Sequence, residues 1–235
     1  MNEHTSKRFD AEMEALRGGV LEMGGLVEAQ LAHAIAALGD DEAGPLDQVG
    51  SVEQQINQMQ MTLDHQCSQV IARRQPAAID LRMLMTITKI VNDLERTGDE
   101  IKKVAYKAAE ARGSASLLQV RRHDVARAAE QGLEMLRMAL DAFARLDVNT
   151  AAAVIDRDEA VDAAFSAILR QLISYMMEDP RTIGRAIEIV FIAKAIERIG
   201  DHAKNIAEAV VQVVRGTDVR HATAEEIRAV SANGE

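Results

Sequence analysis

The chain has 235 residues, of which 48% are apolar and only 3% aromatic, with no Trp and three Pro. Ala, Leu, Met, Glu and Arg favour helix while aromatic and β-branched residues favour strands, so the composition argues against an all-β fold. With 37 acidic against 27 basic residues, a net charge of −10 argues against a general nucleic-acid binder, and so few rings leave no base-stacking platform.

Cys67 is the only cysteine, which excludes an intramolecular disulfide and a Cys-based zinc site. The N-terminus lacks the apolar core of a signal peptide. No apolar run approaches the ~18–20 residues that span a bilayer; the richest, 186–199, is broken by Glu188, Lys194, Glu197 and Arg198. The expectation is a soluble, cytoplasmic protein.

Turn signals divide the chain into six long segments. The first ends at Gly39-Asp40-Asp41-Glu42-Ala43-Gly44-Pro45 and carries Gly18, Gly19, Gly24 and Gly25 in its interior. Each interior Gly costs about 1 kcal/mol relative to Ala, so a local bend or a close helix–helix approach is expected there. The second segment ends at Gln75-Pro76, because the residue before Pro resists helix; Cys67 lies on it as a small core residue. The third runs to Arg112-Gly113-Ser114, with Ile87, Ile90, Leu94, Thr97, Ile101, Val104 and Ala108 in steps of three and four. The fourth ends at Leu146-Asp147-Val148-Asn149-Thr150, where Asp147 or Asn149 is the N-cap candidate for the fifth. The fifth ends at Asp179-Pro180-Arg181-Thr182. The sixth has the stripe Ile192, Ile196, Ile199, Ala203, Ile206, Val210 and Val213 and ends at Arg215-Gly216. Such stripes belong to helices packed along their length in a bundle. The methionines, Met61, Met85 and Met177 among them, are expected to fill core gaps. Beyond Gly216, Thr223-Ala224-Glu225-Glu226 is a candidate cap for one brief helix.

The two halves repeat. Leu94-Glu95-Arg96-Thr97-Gly98-Asp99 returns as Ile196-Glu197-Arg198-Ile199-Gly200-Asp201 at an offset of 102 residues, and Ala34–Asn57 aligns with Ala139–Asp162 at an offset of 105. The fold expected is all-α, a tandem repeat of two antiparallel three-helix bundles over 1–112 and 114–216, with a polar tail over 217–235.

The repeat also duplicates the acidic motif. Glu95-x-x-x-Asp99 recurs as Glu197-x-x-x-Asp201, and the preceding helices offer Glu53-x-x-x-Asn57 and Asp158-x-x-x-Asp162. Residues four apart share a helix face, and like charges so placed repel. Carboxylates at the edge of a helix interface form all-oxygen sites suited to hard or borderline cations such as Mg²⁺, Mn²⁺ or Fe. The alternative is a solvated acidic face with local ion pairs, for example Asp99 with Lys103; Asp201 has Asn205 at the equivalent position, which cannot neutralise it. Spacing alone leaves the two balanced. His202 points away from Asp201 and is expected to be exposed, and Arg73-Arg74 and Arg121-Arg122 are expected to be solvated. No Glu lies three residues before a His, so the Glu-x-x-His pattern of di-iron bundles is absent. No phosphate-binding Gly-rich loop or nucleophile pairing points to catalysis.

His4-Thr5-Ser6-Lys7-Arg8-Phe9-Asp10-Ala11-Glu12, Leu21-Glu22-Met23-Gly24-Gly25-Leu26-Val27-Glu28, Pro76 with Asp80-Leu81-Arg82, and the repeated Glu-Arg-x-Gly-Asp with Asn205-Ile206-Ala207-Glu208 resemble the PhoU family of phosphate-specific transport accessory proteins. The resemblance covers 4–215. It implies two similar three-helix bundles and metal ions (Mg, Mn, Zn or Fe) bound by the acidic motifs, carried here by Glu53, Glu95, Asp99, Asp158, Asp162, Glu197 and Asp201. Asn57 departs from the acidic pattern, and with Lys103 beside Asp99 it weakens the first-half site against the second. The resemblance further implies a cytoplasmic, often dimeric, non-enzymatic regulator at the inner membrane face. Such a regulator couples the ATPase of a phosphate ABC transporter to a sensor histidine kinase and restrains the starvation response and uptake when phosphate is abundant. A carboxylate-bridged metal-dependent enzyme and a metal-free helical scaffold are the alternatives.

Overall fold

A computed structural model describes residues 2–39, 46–110, 117–217, 219 and 225–227. Helices α1 (Asn2–Gly39), α2 (Leu46–Arg74), α3 (Ala78–Glu110), α4 (Leu117–Arg145), α5 (Val148–Glu178) and α6 (Ile183–Arg215) follow in order, with a 3₁₀ turn over Pro180–Thr182. There is no strand among the described residues. The expected turns at 40–45 and 111–116, the side chains of Arg121 and Arg122, and the cap residues Thr223 and Ala224 lie outside the described residues; 225–227 is helical.

Both stripes lie in the core, which draws on all six helices. All seven residues of each, from Ile87 to Ala108 on α3 and from Ile192 to Val213 on α6, are buried. Full burial of a Val, Leu or Ile stabilises by roughly 1.5–3 kcal/mol, so the stripes contribute substantially to the packing of α3 and α6. α3 packs on α1 and α2, and α6 on α4 and α5, while α3–α6 and α1–α4 join the halves.

Helix ends follow local chemistry. Asp147 caps α5, accepting from the backbone N–H of Asn149 at 2.9 Å and of Thr150 at 3.3 Å. Gly216 closes α6 in the left-handed region at φ 75°, its N–H donating to Gln212 O at 2.9 Å.

The glycines of α1 divide into two kinds. A Cβ at Gly19 would sit 2.6 Å from Leu63 on α2, and one at Gly24 2.6 Å from Leu140 on α4, whereas Gly18 and Gly25 face open space. The close approach is therefore real at two of the four positions, one within the first bundle and one between the halves.

Cys67 is buried and free, as expected. Met61, Met85 and Met177 are not core residues: they are 59%, 51% and 80% exposed. Arg74 is not simply solvated, because it holds Glu12 with two hydrogen bonds of 3.0 and 3.1 Å and ties α2 to α1.

Candidate metal centre

The antiparallel α3–α6 seam organises the site. Across it Lys89 donates to Gln212 at 2.7 Å, Asp93 bonds His202 at 2.9 Å and accepts from Asn205 at 3.1 Å, and Glu100 accepts from Arg198 at 3.2 Å. Two equivalent helices crossing antiparallel make a local pseudo-two-fold. The repeated Arg96 and Arg198, and the repeated Asp99 and Asp201, accordingly line one groove of ≈ 690 Å³.

In the second repeat three of the motif carboxylates converge. Glu197 and Asp201 on α6 meet Asp162 on α5, and each contributes a carboxylate oxygen within 4.8 Å of the others. This is the one group of three or more metal-type side chains among the described residues. Burial holds the Asp162 and Asp201 carboxyls above the ordinary carboxylate range, helped for Asp201 first by Glu197 and for Asp162 first by Asp158. Glu197 Oε2 is buried and has no hydrogen-bond partner, although buried polar atoms are nearly always satisfied. An all-oxygen, negatively charged set with an orphaned buried oxygen fits a hard divalent cation such as Mg²⁺ or Mn²⁺. It fits Zn²⁺ less well, since structural zinc favours Cys and His ligands.

Asp158 is brought to the edge of this group but is engaged elsewhere. It is 6% exposed and receives Lys204 at 2.6 Å. In the first repeat Glu53 receives Lys102 at 2.5 Å. Lys102 and Lys204 are related by the same 102-residue offset. A lysine at this position is therefore a feature of both halves, unlike Lys103, whose counterpart is Asn205. In each repeat this lysine holds the first residue of the acidic motif on the preceding helix, Glu53 or Asp158.

Glu95, Asp99 and Glu53 are close enough to interact: burial raises the Glu95 carboxyl, and repulsion by Asp99 and Glu53 adds to it. Asn57 stands where the second repeat has Asp162, so the first set lacks one carboxylate and does not form an equivalent group.

Two expectations need correction, those for Lys103 and His202. Lys103 pairs with Glu100 at 2.8 Å, the carboxylate one helical turn back that the seam has already buried, and not with Asp99. Asn205, which was not expected to neutralise Asp201, donates to Asp93 across the seam. His202 is not exposed; its side chain is 13% accessible because the second half's helix is packed on α3 at that level. The residues missed from the sequence were these seam partners, Asp93, Glu100 and Arg198, together with Lys194. Arg198 and Arg96 were visible inside the repeated motif, but only the antiparallel crossing brings them to one groove.

Tandem three-helix bundles, joined through their last helices and through α1 and α4 and carrying carboxylates on the duplicated motif, define a class of all-α repeat protein. The PhoU domain model matches twice, at residues 20–108 and 125–210, and the chain belongs to the PhoU family. The phosphate-specific transport system accessory protein PhoU homolog of Pseudomonas aeruginosa is 46% identical over 225 residues, covering 94% of this chain and 91% of that one. The Escherichia coli K12 accessory protein PhoU is 39% identical over 233 residues, covering 97% and 93%. Among solved structures, that of PhoU from Pseudomonas aeruginosa superposes with a TM-score of 0.82 at 47% identity over 89% of this chain and 100% of that one. The phosphate transport system regulatory protein PhoU from Streptococcus pneumoniae does so with a TM-score of 0.80 at 26% identity over 90% and 99%. No helix among the described residues is long and apolar enough to cross a membrane.

Proposed function

We propose that this chain is a regulatory adaptor of a phosphate transport system and acts by binding rather than by catalysis. The observation that carries the reading is near-full-length similarity to proteins named phosphate-specific transport system accessory proteins. The adaptor is cytoplasmic and reaches the inner membrane face through its protein partners, the ATPase of a phosphate ABC transporter and a sensor histidine kinase. It restrains the starvation response and uptake when phosphate is abundant, and it functions as a homodimer.

The second repeat holds a divalent metal through Asp162, Glu197 and Asp201, while Asp158 braces the site through Lys204; Glu95, Asp99 and Glu53 form a weaker counterpart. The metal supplies positive charge that joins α5 to α6 and leaves a defined surface at the seam groove. Support comes from the clustered oxygens and the orphaned Glu197 Oε2. No step of bond making is required, which agrees with the accessory and regulatory names of the relatives.

The test is deletion of the gene, with alkaline phosphatase expression measured in high phosphate, and co-purification of tagged protein with the transporter ATPase and the kinase. Constitutive expression and recovery of both partners are expected. Normal repression in the deletion strain would remove the reading.

A further inference from the structure

Lys194 reaches the carboxylate cluster from one helical turn before Glu197. Its ammonium lies 2.5 Å from Glu197 Oε1 and 5.4 Å from the centre of the Phe165 ring on α5. Its field also offsets the mutual repulsion at Asp201, and at Asp162 it does so after Lys204. One positive charge therefore serves all three members of the cluster. A divalent metal would need the same carboxylates.

The other repeat shows what the position looks like without this role. At the 102-residue offset, Lys194 corresponds to Asn92. The Asn92 amide donates to Thr88 O at 3.2 Å and its carbonyl accepts from Gln60 at 3.1 Å, so it is occupied within its own bundle. The repeat that has Asp162 where the first has Asn57 also has Lys194 where the first has Asn92. The third carboxylate and the cation thus occur together. Lys102 and Lys204 do not vary in this way; both brace the Glu53 or Asp158 position.

We propose that Lys194 is the resident counter-ion of the Asp162–Glu197–Asp201 cluster, which a divalent cation must displace from Glu197, and that it thereby sets the metal affinity of the second repeat. The inference rests on the metal reading given above. The displaced ammonium keeps a favourable position, since the face of an aromatic ring attracts a cation and its aliphatic stem stays packed. The cluster is then stable both without metal and with it, and metal loading becomes an exchange of one cation for another rather than the filling of a bare acidic hole.

The experiment is calorimetric titration of the full-length, metal-stripped chain with Mn²⁺, for wild type, K194N, K194M, K194R and the E197Q/D201N double variant. K194N copies the other repeat; K194M keeps an unbranched apolar stem over Phe165 and removes only the charge. Removing a unit charge that competes for the same oxygens should tighten Mn²⁺ binding by about tenfold in both K194N and K194M, while K194R stays near wild type. The metal-free K194N and K194M proteins should melt lower than wild type and gain more on Mn²⁺ addition. A merely structural lysine would lower the melting temperature without tightening binding.

Wild-type binding that is lost in E197Q/D201N but is unchanged or weaker in K194N and K194M would overturn the role of Lys194 and leave the metal reading intact. Binding by K194N and K194M but not by wild type would support the role in its strongest form. Absence of binding in all of them would overturn both.

Discussion

Asp201→Asn separates the two states of the acidic cluster because its effect must change sign with metal. Without metal, Asp201 faces Asp162 and Glu197 across oxygen separations within 4.8 Å. Two unit charges at that distance repel by about 3–4 kcal/mol at an effective dielectric of 20. Lys194 offsets part of this, Asp162 is exposed to water, and exposed charge pairs retain only a small part of the Coulomb figure. The substitution should therefore stabilise the metal-free protein by about 1 kcal/mol, a rise of roughly 2–4 °C in melting temperature for a chain of this size. With metal the order reverses. A ligand at 100 times its dissociation constant stabilises by about 2.7 kcal/mol, and D201N loses much of that because one oxygen ligand has become a neutral amide. Thermal melts of both proteins in a chelator and in excess Mn²⁺ check this. If D201N lowers the melting temperature in chelator, or if Mn²⁺ raises both proteins equally, the cluster is not a cation site held under repulsion and the reasoning fails.

The same cluster has a pH signature. Asp162 and Asp201 have raised carboxyl pKa values in the folded chain, so the folded state binds more protons than the unfolded one between the ordinary and the raised values, and their contribution to stability is lost as pH rises through that window. Metal-free D162N/D201N should accordingly match wild type most closely at the acid end and gain on it as pH increases, as read by urea midpoints across the acid range. In α1, G25A should stabilise by up to about 1 kcal/mol, because nothing lies within 4 Å of the added methyl, whereas G24A should lose that gain against Leu140; denaturant midpoints distinguish them. Asp147→Ala removes the cap of α5 and should cost about 1 kcal/mol, again read as a shift in the denaturant midpoint.

The number and type of elements were legible in the sequence because the physics that sets them is local or periodic. Glycine and proline interrupt the segments, steps of three and four residues mark the buried stripes, and Ile192 through Val213 could be read as one face of one helix. The repeat made Glu95–Asp99 and Glu197–Asp201 stand out together, since duplication preserves spacing. Distances between helices are not periodic in the sequence, so pairing across them was not legible. Lys103 had a spacing that suited Asp99, but Glu100 is buried at the seam beside Arg198 and takes the charge. His202 looked outward on an isolated helix and is covered because α3 packs beside it.

The sequence by itself determined an acidic all-α chain built twice, with carboxylates four residues apart on its third and sixth helices. The tertiary structure alone decided that Asp162 joins Glu197 and Asp201 while Asp158 is held by Lys204, and that Lys194 stands among them. The physical reason is that helix geometry sets which residues share a face, whereas desolvation and charge at the packed interface choose which of those faces meet and which charges pair.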